Sequence, residues 1–576
     1  MQPRTLVSLA LGGAVALTLL TACQSEPRSI HQAPSTDQIS SSPEEGEPSN
    51  PSTHAQGKRR ENAAMAEPRA SVEAPAPRAP LKAGDLAHLR RPSEAVDRER
   101  YAHLEDHPVK RVAEHPVSTF SIDVDTGSYA NVRRFLSQGR LPLRDAVRVE
   151  EMINYFRYDY PAPREGTRPF NLVTEIAPTP WNARTHLLHI GIKGYELTNE
   201  ALPPANLVFL VDISGSMRSS DKLPLLKSAL KLLNERLRPV DRVSIVVYAG
   251  GAGVVLEPTA GDEIARIHAA LEALGAGGRT HGAAGIRLAY AMAEQGFVDG
   301  GINRVLLATD GDFNVGTVNF EALKNLVEQK RETGISLTTL GFGTGNYNDR
   351  LMEQLADAGN GNYAYIDTLS EANKVLVRQM AGTLATIAKD VKIQIEFNPK
   401  MVAEYRLIGY ENRALRREDF GNDGVDAGEI GAGHTVTALY EIALAGSGGQ
   451  RLEPLRYGGA DPLASEITDG ELAFLRLRYK APDGDRSTLF EKPIFAAEAK
   501  DDLASSSVNF RFAAAVAGFG QVLKGGRYTG EWGYEQAATL ANGARGADRS
   551  GHRGEFVNLV HLARSLAGEN VQAMRE

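Results

Sequence analysis

The chain is poor in three things. It has one cysteine in 576 residues, no Phe, Trp or Tyr before Tyr101, and a net charge of only −8. A single cysteine excludes an intramolecular disulfide framework and a Cys-rich zinc site. A first hundred residues without an aromatic side chain cannot build a normal core, so about three folded domains are expected between residue 101 and the end, at roughly 150 residues each. With 64 basic against 72 acidic residues, the balance argues against the phosphate backbone of nucleic acid as the main partner. The sequence also lacks a repeat with a period of 20–50 residues, a Walker lysine-serine/threonine pair and a Gly-x-Ser-x-Gly elbow.

What the amino terminus does contain is directional. Arg4 is followed by the uncharged, apolar Leu6–Leu20 and then by Leu20-Thr21-Ala22-Cys23, the order of regions of a signal peptide over residues 1–22. The apolar stretch is short for a membrane span of about 20 residues. Leu-Thr-Ala-Cys resembles the lipobox of bacterial lipoproteins, which implies cleavage before Cys23 and acylation of its sulfur. Several acyl chains hold a protein on a bilayer where one does not. Gln24, rather than Asp, follows the cysteine, and by that resemblance favours the outer over the inner membrane. Residues 24–82 hold nine prolines (Pro27, Pro34, Pro43, Pro48, Pro51, Pro68, Pro75, Pro77 and Pro80) and few large aliphatics. Such a segment cannot offset the entropy of ordering its backbone. Residues 23–100 are therefore expected to be a lipidated tether, with an rms reach of roughly 40–50 Å.

Three regions follow. Residues 101–202 mix strand-like and helical stretches, an α+β pattern. Residues 203–385 alternate strand and helix: the apolar runs 207–211, 243–248, 304–309 and 336–342 are separated by helical spacing such as Leu223, Leu226, Leu230 and Leu233. Runs buried on both faces and separated by helices predict a doubly wound α/β fold with a mostly parallel sheet. Residues 386–576 begin with strands and end with helices, predicting an antiparallel sheet followed by a helical cap.

The chemistry concentrates in the middle region. The first apolar run ends in Asp212-Ile213-Ser214-Gly215-Ser216, at the carboxyl edge of the sheet where ligands bind in open α/β folds. Ser214, Ser216, Ser219 and Ser220 have a simpler reading as caps of the following helix. Two later segments favour a site: Gly275-Ala276-Gly277-Gly278-Arg279-Thr280, and a strand ending in Asp310-Gly311. Parallel neighbours bring the three loop ends together. Two carboxylates and three hydroxyls, from Asp212, Ser214, Ser216, Thr280 and Asp310, are hard donors suited to Mg²⁺ or Mn²⁺.

These five positions, with Val211 to Met217 and Ala308 to Gly311, resemble the metal-ion-dependent adhesion site of the von Willebrand factor type A (VWA) family. The resemblance implies direct or water-mediated metal contacts by the serines and threonine, carboxylates completing the set, and a sheet with one antiparallel edge strand. The stretches 118–129, 149–160 and 431–442 resemble the regions flanking this domain in a family of bacterial lipoproteins. The expected function is capture of an acidic group of a partner protein by the metal. The alternatives are a metal-dependent hydrolase, with Asp312 as the residue to watch for a base, and a metal-independent structural role in the envelope.

Three other clusters have plainer readings. Asp123 and Asp125 are expected to cap a helix over 129–137. His103 and His107 lack the glutamate of a zincin motif. Asp423, Asp426 and Glu429 are expected to belong to a polar hairpin loop rather than to a calcium site.

Overall fold

A computed structural model of the chain describes residues 99–164, 168–278, 282–311, 320–453 and 470–573. At its centre is a six-stranded sheet in the order Tyr363–Ile366, Ile335–Phe342, Ile302–Thr309, Ala205–Asp212, Arg242–Tyr248, Ala252–Ala260. All neighbours are parallel except the final edge pair, which is antiparallel. The sequence explains why Ala205–Asp212, the first of these strands along the chain, lies inside the sheet. Leu207, Phe209 and Val211 face a core shared with Leu226, Leu230, Ile267 and Leu271 on helices Leu223–Asn234 and Ile264–Glu272. Val208 and Leu210 point the other way, to Ile286, Ala289, Leu323 and Leu355 on helices Gly282–Gln295, Phe320–Glu332 and Asp349–Ala358. A strand covered on both faces needs an unbroken apolar run.

Two elements of this domain escape the sequence reading. Ala252–Ala260 is an edge strand with mostly exposed or half-buried positions and a proline, so its alternation is weak. Helix Asp349–Ala358 is short but well signalled, since the Asn348 side chain accepts from the Leu351 amide. The last helical segment of the domain is not continuous but divided into Leu369–Asn373, a π turn Lys374–Arg378 and Met380–Leu384. The widened turn coincides with Lys374, whose buried ammonium lies 3.2 Å from the centre of the Tyr155 ring and 3.3 Å from Glu371.

The flanking strands correct the expectation of one antiparallel sheet in the third region. They form two sheets, and each contains strands from both sides of the central domain. One runs Lys110–Arg111, Val402–Ile408, Thr435–Leu444, Asn182–Gly194, Phe170–Thr179, antiparallel throughout. The other runs Gly428–Gly431, Thr386–Phe397, Glu471–Lys480, Ser487–Phe495, with Val117–Ser121 also paired to Thr386–Phe397. Helices Gly127–Ser137 and Val149–Asn154 share a core with Val508–Lys524, Tyr534–Gly543 and His552–Ala573, through Tyr129, Met152, Phe156, Phe512 and Phe556. Non-local pairing of this kind leaves no periodic trace that says which strand is the partner.

Candidate functional site

The chain passes from Ala205–Asp212 to Arg242–Tyr248 on one side and returns to Ile302–Thr309 on the other. The carboxyl end of the Asp212 strand is therefore the topological switch point, where two outgoing loops diverge and leave a crevice. Asp212 is level with Tyr248 on one neighbour, and Val211 with Ala308 on the other, which puts Asp310 just past the same edge. Asp212 and Asp310 are both fully buried.

Every contact of Asp212 fixes its carboxylate. Oδ1 accepts from the Ser214 amide at 2.8 Å, and Oδ2 accepts from the hydroxyls of Thr309 at 2.9 Å and Tyr248 at 3.2 Å. Burial, with the charge of Asp310 nearby, pushes this carboxyl up to about 6 despite the hydrogen bonds from Ser214 that pull it down. Ser214 and Ser216 hold their hydroxyls 3.0 Å apart, Ser214 buried and Ser216 exposed. The glycine-rich loop is stitched to them: Gly277 N donates to Ile213 O at 2.7 Å, and Gly215 N to Gly278 O at 3.2 Å. Gly311 follows Asp310 with φ +84°, and a Cβ there would stand 2.3 Å from the Asn348 amide nitrogen. Only glycine tolerates both conditions.

The structure thus brings together four of the five expected residues, Asp212, Ser214, Ser216 and Asp310. Thr280, Arg279 and Asp312 lie outside the described residues, as does Cys23. Helix Leu223–Asn234 receives no side-chain cap, so the capping reading of the four serines does not hold. The donor set is all oxygen, with two carboxylates held at one edge and an exposed hydroxyl beside them, and fits a hard divalent cation such as Mg²⁺ or Mn²⁺. No group of three or more His, Cys, Asp or Glu is arranged for a metal among the described residues. A site of two carboxylates plus hydroxyls is a different chemical type.

Sequence reasoning missed four supporting side chains: Thr309, Tyr248, Lys222 and Asn346. Lys222 Nζ donates to Asp310 Oδ2 and to Asn346 Oδ1, both at 2.9 Å. The one available signal was a lysine at the start of a helix, where the unpaired amides disfavour positive charge.

The remaining clusters resolve as separate structural contacts. Asp123 and Asp125 do not cap the helix Gly127–Ser137, which has no side-chain cap bond. Asp125 Oδ1 instead accepts from the Tyr363 amide at 2.8 Å, and both carboxylates face Arg413. The Ser128 amide goes to Glu151 at 2.7 Å. His103 pairs with Asp145. Asp423 pairs with Arg478 and Asp426 with Arg331, so these carboxylates are divided between two arginines.

Comparison with known proteins agrees with this architecture. Residues 206–379 match the model described as "von Willebrand factor type A domain", residues 95–189 that described as "von Willebrand factor", and residues 382–566 that described as "Uncharacterized protein YfbK, C-terminal". The chain is 48% identical over 482 residues to a protein of Escherichia coli (strain K12) described as "Uncharacterized protein YfbK", spanning 83% of this chain and 82% of that one. It is 34% identical over 169 residues to "Uncharacterized protein sll0103" of Synechocystis, covering 29% and 39% of the two chains. A solved structure, "von Willebrand factor type A from Catenulispora acidiphila", superposes with a TM-score of 0.39 at 16% identity, over 67% of this chain and 89% of that one. The chain belongs to the family of VWA-domain bacterial proteins that includes Escherichia coli YfbK.

Proposed function

We propose that the protein is an exported, lipid-anchored binding protein of the bacterial envelope, whose VWA site holds Mg²⁺ or Mn²⁺ and captures an acidic group of a partner protein. The supporting observation is the oxygen set itself: Asp212 and Asp310 side by side at the switch point, with the hydroxyls of Ser214 and Ser216 3.0 Å apart and Ser216 open to solvent. Asp212, Ser214, Ser216, Thr280 and Asp310 would hold the ion, which supplies an electrophilic position for an anionic oxygen. The protein's own part is orientation. Thr309, Tyr248 and the Ser214 amide fix the Asp212 carboxylate before any ligand arrives.

The amino-terminal signal, Cys23 and the proline-rich tether complete this reading: they would keep the folded part near a membrane, the outer one being favoured by Gln24. No helix among the described residues is long and apolar enough to cross a membrane. The test is crosslinking capture from envelope extract with Mg²⁺, with EDTA, and with an Asp212→Ala variant. Capture should require both the metal and Asp212. Undiminished capture in EDTA and in Asp212→Ala would refute the metal-bridged reading, and metal-dependent turnover of phosphoesters would favour the hydrolase alternative.

A further inference from the structure

Lys222 occupies a position that nothing in its local sequence favours. It stands at the amino-terminal boundary of helix Leu223–Asn234, where the exposed amides carry partial positive charge. Its side chain is only 7% exposed and that of Asp310 0%, and burying an ammonium is costly unless a partner offsets it. Two segments make room for it, the end of strand Ile302–Thr309 and the loop 343–348. Asp310 and Asn346 each accept from Nζ at 2.9 Å, and Gly343 presents a bare Cα to the stem. A Cβ at Gly343 would stand 2.2 Å from Lys222 Cγ and Cε, and its φ of +74° also belongs to glycine. The ammonium is therefore held in a fitted channel that ends on one of the two site carboxylates.

We propose that Lys222 is an internal counter-ion of Asp310 that lowers the affinity of the site for a divalent cation and keeps the metal-free site stable. This rests on the metal reading of the site. Asp212, Asp310 and Lys222 together carry a formal charge of −1, which a divalent ion converts to +1. Without Lys222 the filled site would be neutral. Lys222 thus weakens the hold on the cation while leaving the filled site with a net attraction for a carboxylate.

The experiment is isothermal titration of the full chain with Mg²⁺ and with Mn²⁺, alongside thermal melts in EDTA and in excess Mg²⁺. Lys222→Met keeps the length of the stem and removes the charge. It should bind Mg²⁺ at least ~10-fold more tightly than the parent, since a cation beside Asp310 opposes another. It should also melt lower than the parent in EDTA, and gain more melting temperature from Mg²⁺ than the parent does. Equal or weaker Mg²⁺ binding by Lys222→Met would overturn the proposal, because a lysine that only positions Asp310 would help the metal. Where that variant fails to fold, Asn346→Asp offers the ammonium a second carboxylate and draws it from Asp310. Tighter Mg²⁺ binding is again expected, and unchanged or weaker binding overturns the proposal. Parent binding that is lost in Asp212→Ala but unaltered in Lys222→Met sinks this inference alone. Absence of binding in every form sinks the metal reading and this inference with it.

Discussion

Glu150 offers a sharp test of how burial sets the stability of the flanks. It is the second residue of helix Val149–Asn154, is 0% exposed, and its carboxyl has no side-chain hydrogen-bond donor among the described residues. Gly409 closes the space above it, and a Cβ there would stand 2.7 Å from Oε2. Burial first, and then the charges of Glu411 and Asp123, push this carboxyl up from its ordinary 4.5 to about 8, against the pull of the backbone amides of Glu150 and Tyr410. Below the unfolded value both states carry the proton, so the group is neutral in its effect on stability. As pH rises past 4.5 the unfolded chain releases its proton and the folded chain does not, so stability falls until the folded group also ionises near pH 8. At ~1.4 kcal/mol per pH unit the loss between pH 4.5 and pH 7 is about 3 kcal/mol. Glu150→Gln keeps the shape of the neutral acid and cannot titrate. Urea unfolding of both forms from pH 5 to pH 9 should show the variant gaining stability over the parent as pH rises, by about 4 kcal/mol in all, and then levelling off above pH 8. A difference that stays flat with pH, or that shrinks as pH rises, would refute the reasoning.

Two further outcomes are expected. Arg133 is buried and donates to Asp367, to Glu371 at 2.7 Å and to the Tyr155 hydroxyl at 2.8 Å; Arg133→Ala leaves the Asp367 carboxylate without its cation and Glu371 with Lys374 alone, and should cost about 3–5 kcal/mol, read as a lower melting temperature and faster proteolysis within residues 367–386. An unchanged melt would show that the pairs contribute nothing. Cys23→Ala should abolish incorporation of labelled palmitate and move the protein from the membrane to the soluble fraction, and continued labelling would refute the lipid anchor.

The central domain was legible because its determinants are local. Leu207 to Val211 are buried on both faces, and an unbroken apolar run reports that directly. The site was legible for the same reason: Asp212, Ser214 and Ser216 share one loop, and Asp310 ends a recognisable strand. The supporting residues were not legible, because their roles exist only after folding. Lys222 lies 88 positions from Asp310, and nothing in either segment names the other. The flanks were harder still. Lys392 pairs with Ser121 on one side and Arg478 on the other, so a single strand joins regions that are far apart in the chain, and its own sequence is compatible with many neighbours. Asp123 and Asp125 show how a local rule fails in such a place. Carboxylates just before a helix ordinarily cap it, yet here the helix start is served by Glu151, and Asp125 instead receives the amide of an edge strand in the central sheet.

That exchange of partners bears on how the site and the flanks are related. The loop 343–348 carries Asn346, which holds Lys222, and its end packs on Gly311 beside Asp310. The same loop is gripped from the other side by the two residues just before the first flank. Glu99 accepts from the Gly345 amide at 2.9 Å, and the Arg100 amide donates to Tyr347 O at 2.8 Å. Arg134 in turn holds Glu99 at 2.7 Å. Buried ion pairs contribute little net stability against apolar packing, but they are directional, and a broken one is costly. Glu99 is thus positioned to fix the geometry of a loop rather than to add adhesion between layers. A chain cut to residues 203–385 would keep Asp212, Ser214, Ser216 and Asp310 and lose the grip on the loop that carries Asn346. The site is therefore a property of the central domain in its ligands, and of the domain with its first flank in the placing of Lys222.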